Sequence, residues 1–179
     1  MIRLFVALSL PDALAERLAA MAGGIPEARW SEARNLHITL RFIGEVDEAQ
    51  AADIDAALLG VRAAAFPLGL EGLGTFGGRV AHTLWAGVER VPALFHLQER
   101  VEAAMGRAGL VAEGRKYTPH VTLARCKASP PGRVQDFISH HSPFRVAPFA
   151  VDHFHLYQSH LGRGGPDYRR LADYPLDSK

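Results

Sequence analysis

Two short stretches of this 179-residue chain share one pattern: Asn-Leu-His-Ile-Thr-Leu at residues 35–40 and Pro-His-Val-Thr-Leu at residues 119–123. Each sets a histidine and a threonine two positions apart, His37 with Thr39 and His120 with Thr122, with aliphatic residues between and after them. In an extended strand, residues i and i+2 point to the same face. Each stretch therefore offers an imidazole and a hydroxyl on one side and an apolar back on the other. An imidazole titrates near neutral pH and can give or take a proton. Two of them aimed into one cleft supply what an in-line displacement at phosphorus needs, a base for the nucleophile and an acid for the leaving oxygen. Two hydroxyls can donate to the non-bridging oxygens as their charge grows. This chemistry requires no metal.

The rest of the chain must hold two such strands side by side. Residues 2–8 read as a first strand. Pro11 with Leu14, Leu18 and Met21 reads as a helix ended by Gly23-Gly24. Residues 36–44 form the first special strand, closed by Gly44, and 47–61 a helix opened by Asp47. Phe-Pro-Leu-Gly-Leu-Glu-Gly-Leu-Gly-Thr-Phe-Gly-Gly (66–78) and His-Thr-Leu-Trp-Ala-Gly-Val-Glu (82–89) read as two strands around a Gly-rich bend, and 91–109 as a helix. The second special strand then opens a further strand-and-helix unit, the helix beginning at the Pro130-Pro131 pair; residues 143–161 read as one or two strands, and a turn and a last strand close the chain. The expected order is β-α-β-α-β-β-α-β-α-β-β. Mixed α and β in this order, with the two special strands in comparable places, points to an α+β fold built on an internal duplication of a β-α lobe, which would set those strands next to each other. No Ser/Gly linker, low-complexity tract or charge block cuts the chain, so residues 1–179 are expected to form one domain of two pseudo-symmetric lobes.

Composition removes several classes of function. Net charge is +1 and the pI near 8, which argues against a generic polyanion binder. The single cysteine, Cys126, excludes an internal disulfide framework and a Cys-rich zinc site. No run approaches the length of a membrane span. The apolar N-terminus is interrupted by Asp12, Glu16 and Arg17 at helical spacing, so it reads as strand and helix rather than a signal peptide. A cytoplasmic monomer is expected.

The stretches Asn35-Leu-His-Ile-Thr-Leu-Arg-Phe-Ile-Gly-Glu-Val46 and Tyr117-Thr-Pro-His-Val-Thr-Leu-Ala-Arg125 resemble the signature strands of the 2H phosphoesterase superfamily. Within it the chain is most similar to the RNA 2′,3′-cyclic phosphodiesterases, also called 2′-5′ RNA ligases of the LigT/ThpR type. Arg3-Leu-Phe-Val-Ala-Leu-Ser-Leu-Pro11, Arg79-Val-Ala-His-Thr-Leu-Trp-Ala-Gly-Val88 and Ser159-His-Leu-Gly-Arg-Gly-Gly-Pro-Asp-Tyr-Arg-Arg-Leu171 extend the likeness nearly end to end. The resemblance implies a bilobal α+β fold, duplicated β-α lobes with antiparallel-rich sheets lining a central cleft, and hydrolysis of an RNA-terminal 2′,3′-cyclic phosphate to a 2′-phosphate. His37 would be the proton donor to the leaving 3′ oxygen, His120 the proton acceptor that activates water, and Thr39 and Thr122 the phosphate-binding hydroxyls. The donor and acceptor roles do not follow from the residues themselves, and they exchange in the reverse direction, 2′-5′ ligation. The implied partner is RNA with a cyclic phosphate end, tRNA fragments included.

Further candidates follow from position. Arg125, three residues past Thr122, can meet phosphate. Arg41 continues the face of His37 and Thr39. Phe42, Phe76, Tyr117 and Tyr157 are candidates for stacking a terminal base. Ser159 and Tyr168 belong to the family-like tail. His153 and His155 share a strand face and lie near His140 and His141, but no third ligand at fixed spacing supports zinc. There is no P-loop, and Gly72-Leu-Gly-Thr-Phe-Gly-Gly78 lacks the strand-to-helix setting of a dinucleotide site, so no cofactor is expected. Two rival readings stand. One is a sister activity on a small cyclic nucleotide or 2′-5′ oligonucleotide. The other is a non-catalytic RNA- or nucleotide-binding module, which would not need both an acid and a base.

Overall fold

Alternation and helical spacing resolve into nine strands and four helices in the computed structural model, which describes residues 1–178. Along the chain these are β1 (Ile2–Ser9), α1 (Asp12–Ala19), β2 (Arg29–Trp30), a single 3-10 turn over Ala33–Asn35, β3 (His37–Val46) and α2 (Glu48–Leu59). There follow β4 (Phe66–Phe76), β5 (Thr83–Val88), α3 (Pro92–Arg107), β6 (His120–Arg125), α4 (Pro131–His140), β7 (Arg145–Val151), β8 (His153–Gly162) and β9 (Gly165–Pro175). Asp47 caps α2 by accepting from the Gln50 amide at 2.8 Å, which satisfies one of the orphan donors of that helix end.

Three expectations need correction. The two-residue strand β2 was not foreseen. Residues 143–161 form two strands where the expected order counts one: β7 pairs with β4 and β8 with β1, so three strands follow α4. Gly44 does not close β3. It lies inside the strand at φ 91°, beside a register shift that leaves Ile43 without a partner on β1. A bulge needs such a conformation, and glycine adopts it without a Cβ clash.

The strands form one antiparallel sheet in the order β7-β4-β5-β6-β3-β1-β8-β9, with β2 added alongside β6. The two special strands, β3 and β6, are the central neighbours, and one register pair, Ile38 with Val121, joins them. Both side chains are fully buried. Alternation along β1 separates the two faces of the sheet. Leu4, Val6 and Leu8 enter the main core with the buried residues of all four helices, whereas Phe5 and Ala7 pack with Tyr157 in a small separate cluster on the opposite face. No helix among the described residues is long and apolar enough to cross a membrane.

Candidate active site

His37 and His120 are held by the same local device. The Nδ1 of His37 donates to the carbonyl of Asn35 at 2.7 Å, and the Nδ1 of His120 donates to the carbonyl of Thr118 at 2.7 Å. A carbonyl can only accept, so Nδ1 carries the hydrogen in both rings and Nε2 is left for proton exchange. The Nε2 of His37 lies 3.0 Å from the Thr39 hydroxyl. All four residues line a cleft of about 700 Å³.

A second shared device is a bulge at the leucine that follows each threonine. On β3, Thr39 faces Ala7 of β1, but the next pair is Arg41 with Val6, leaving Leu40 unmatched. On β6, Thr122 faces Trp85 of β5, but the next pair is Ala124 with Leu84, leaving Leu123 unmatched. One extra residue reverses the face of everything after it. Phe42 and Arg125, each three positions past its threonine, therefore return to the cleft. Arg41 does not: the bulge sends it to the helix side. There it is buried, donating to Glu102 Oε1 at 2.6 Å and to the Val111 carbonyl at 2.6 Å. The expectation that Arg41 shares the face of His37 and Thr39 is overturned by this bulge.

Both bulges have the carbonyls they release satisfied. The Tyr117 hydroxyl donates to the Thr39 carbonyl at 2.8 Å, and Gln98 reaches the Leu40 carbonyl at 3.5 Å. On the other strand, the Ser31 hydroxyl donates to the Thr122 carbonyl at 3.1 Å and its amide to the Leu123 carbonyl at 2.9 Å. Tyr117 thus serves as a buttress behind β3. Its ring packs edge-on against Phe95, not in the cleft, so it cannot stack a base there. Tyr157 is likewise unavailable: it is buried and stacked on Phe5, with Arg170 over its ring. Phe42 and Phe76 are the exposed candidates, Phe42 on the cleft wall near Arg3 and Phe76 edge-on to His120 at 4.9 Å.

The cleft is lined by Arg3, Arg29, Arg125 and Arg163 against one carboxylate, Glu32, so it suits an anion. Ser159 and Tyr168 line it as well. Burial pushes the pKa of His37 down to about 4, against the opposing pull of the Asn35 carbonyl, with further lowering from His120 and Arg125. His120 is lowered too, first by burial and then by Arg125. Both shifts favour the neutral ring. The cleft also holds Arg3, Phe5, Arg29, Trp30, Ser31, Asn35 and Arg163, none of them a candidate by residue type; Arg3, Phe5, Asn35 and Arg163 lie in the family-like stretches, while Arg29, Trp30 and Ser31 carry no sequence signal.

The remaining histidines lie elsewhere. His153 and His155 stack in parallel 6.4 Å apart, and His140 and His141 close α4. No group of three or more His, Cys, Asp or Glu among the described residues is placed to hold a metal ion.

Residues 5–163 match the model of the 2′-5′ RNA ligase superfamily. The chain is 31% identical over 179 residues to an RNA 2′,3′-cyclic phosphodiesterase of Geobacillus stearothermophilus, covering 96% of this chain and 56% of that protein. It is 31% identical over 173 residues to the protein of the same name from Archaeoglobus fulgidus, covering 94% of this chain and 97% of that one. The chain thus spans little more than half of the first relative and nearly all of the second. The crystal structure of Escherichia coli LigT complexed with 3′-AMP matches at a TM-score of 0.79, with 28% identity and 98% of each chain covered.

Proposed function

This chain belongs to the 2′-5′ RNA ligase superfamily, and we propose that it hydrolyses RNA-terminal 2′,3′-cyclic phosphate to a 2′-phosphomonoester by metal-independent acid–base catalysis. The observation that carries the reading is the pair of imidazoles, each anchored through Nδ1, in one arginine-lined cleft. Water attacks phosphorus as His120 Nε2 takes its proton. The bond from phosphorus to the 3′ oxygen breaks as His37 Nε2 gives that oxygen a proton. Thr39 and Thr122 donate to the non-bridging oxygens, and Arg125 offsets their charge. The phosphate of the substrate favours the protonated form of His37, opposing the burial that disfavours it. A 5′-hydroxyl in place of water gives a 2′-5′ linkage by the same two transfers. The names of the relatives support the substrate class.

The proposal extends to the setting. RNA ends, tRNA fragments among them, are the partners of a cytoplasmic monomer. The chain is one domain whose halves derive from a duplicated β-α unit, a reading supported by the repeated Nδ1 anchor and leucine bulge. A second substrate, the mononucleotide 2′,3′-cyclic phosphate, is favoured by the 3′-AMP held by the related LigT. Product analysis tests both. Oligonucleotides ending in 2′,3′-cyclic phosphate should yield 2′-phosphate ends faster than mononucleotides react. A 3′-phosphate product overturns the assigned leaving group, and a preference for mononucleotides moves the substrate class.

A further inference from the structure

The His-Phe-His stretch that plays no part in the cleft leads to a second constellation. Ser9 Oγ lies 3.0 Å from His155 Nε2, and His155 Nδ1 lies 2.6 Å from Asp173 Oδ1. Strand pairing builds this arrangement. Ser9 ends β1, Ala7 of β1 faces His155 of β8, and His155 faces Asp173 of β9. The three residues, with Asp152, His153 and Arg170, line a cavity of about 300 Å³ distinct from the cleft of His37 and His120.

The hydrogen-bond pattern fixes the state of the ring. Asp173 accepts, so Nδ1 of His155 carries the hydrogen. Burial of the ring and the nearby Arg170 lower its pKa in spite of Asp173, which leaves Nε2 a free acceptor for the Ser9 hydroxyl. A nucleophile, a base within hydrogen-bond reach and a carboxylate that orients the base are the parts that activate a serine. Arg170 stands at the same cavity. Its Nη2 reaches the Tyr157 hydroxyl at 3.4 Å and its Nε reaches Asp173 at 3.6 Å, long contacts that leave N–H groups for an oxyanion.

We propose that Ser9 is a base-activated nucleophile that accepts the acyl or phosphonyl group of small activated esters entering this cavity. Its Oγ forms a bond to the electrophilic carbon or phosphorus while the hydroxyl proton moves to His155 Nε2. The bond to the leaving group, an ester oxygen or the fluoride of a fluorophosphonate, then breaks, and that group takes the proton from His155. For an acyl group, water restores Ser9 with His155 as base, so the products are the carboxylic acid and the alcohol.

The test uses the full chain and two probes, an alkyl fluorophosphonate and p-nitrophenyl acetate. The fluorophosphonate should place one adduct on Ser9, with loss of fluoride, as located by peptide mass mapping. Ser9→Ala should abolish that adduct and the esterase turnover. His155→Gln should slow labelling by on the order of 100-fold or more, since it removes the base. Asp173→Asn, which keeps the shape of the side chain, should slow it by roughly 10-fold or more through the wrong tautomer. Absence of an adduct overturns the proposal. So does labelling of Ser9 at an unchanged rate in His155→Gln or in Asp173→Asn, either of which suffices if the other variant fails to fold. Ser9→Ala should leave hydrolysis of 2′,3′-cyclic phosphate unchanged, so failure of this site and failure of the cleft chemistry are read separately.

Discussion

The strands that carry His37 and His120 begin alike and end differently. Both anchor Nδ1 on the carbonyl two residues back, and both bulge at the leucine after the threonine. Past the bulge, β3 returns the aromatic Phe42 to the cleft while β6 returns the cationic Arg125. The surroundings differ as well. His37 is enclosed by Phe5 at 4.8 Å and Tyr168 at 5.2 Å, and its Nε2 touches Thr39. His120 has Phe76 at 4.9 Å on one side and is less deeply embedded. A repeated local pattern therefore supplies two like groups, and unlike packing gives them unequal proton affinities. Burial disfavours the protonated His37 that the proposed roles require, so the phosphate of the bound substrate has to supply that proton affinity.

Removing the imidazoles tests the division most severely. His37→Ala and His120→Ala are each expected to lower kcat on a cyclic phosphate end by roughly 10²–10⁴-fold, with circular dichroism unchanged. Replacing the leaving 3′ oxygen by sulfur, a better leaving group, should restore the variant that lacks the acid and not the one that lacks the base. Rescue of His37→Ala upholds the proposed roles. Rescue of His120→Ala would exchange them, and turnover undiminished in both variants would discard the two-histidine mechanism.

Arg125 links the two histidines electrostatically, because it lowers the pKa of both. With His37 near 4 and His120 below its usual 6.5, a mechanism needing one protonated and one neutral ring gives kcat/KM a maximum on the acid side of pH 6.5. Arg125→Gln removes a positive charge beside both rings, so both limbs should move to higher pH while KM rises. A profile that keeps its position in this variant would sever Arg125 from the pair. The same shifts bear on stability. The folded pKa of each ring lies below its unfolded value, so the unfolded chain binds more protons as the solution is acidified. The stabilisation is complete above the unfolded pKa of about 6.5 and is lost as pH falls through the folded values, toward about 4 for His37.

Much of this site was legible in the sequence because it rests on local pattern. His37, Thr39, His120 and Thr122 sit where period-two geometry places them, and their strands are neighbours in the sheet. Arg125 was found by its nearness to Thr122. Arg41 failed because a bulge is a property of two paired strands, and one strand's sequence does not reveal an unmatched residue. Tyr117 and Tyr157 failed because an aromatic residue looks the same whether it lines a cleft or supports one from behind. Arg29 lies in a two-residue strand too short to carry a period, and Ser31 follows directly after it. The Ser9–His155–Asp173 alignment was also hidden, since its members are spread over three strands and only the register brings them together.

The smallest expected effect lies behind the bulges, where the two strands are supported by different means. Tyr117 is largely buried, and burial pushes its phenol pKa up, so it remains a donor to the Thr39 carbonyl at any ordinary pH. Tyr117→Phe leaves that carbonyl without its partner in a place water reaches poorly. The expected cost is about 1 kcal/mol, seen as a fall in Tm of roughly 2–4 °C for a chain of this size. Ser31 is half-buried and lines the cleft, and its amide still serves the Leu123 carbonyl after Ser31→Ala. Water from the cleft can then replace the lost hydroxyl at the Thr122 carbonyl, so Tm should fall by less. The ordering is the informative quantity, and thermal melts of the two variants side by side measure it. If Ser31→Ala proves the more damaging, the bulge on the His120 strand is the one held under greater demand, and the contrast between an embedded His37 strand and an open His120 strand is reversed.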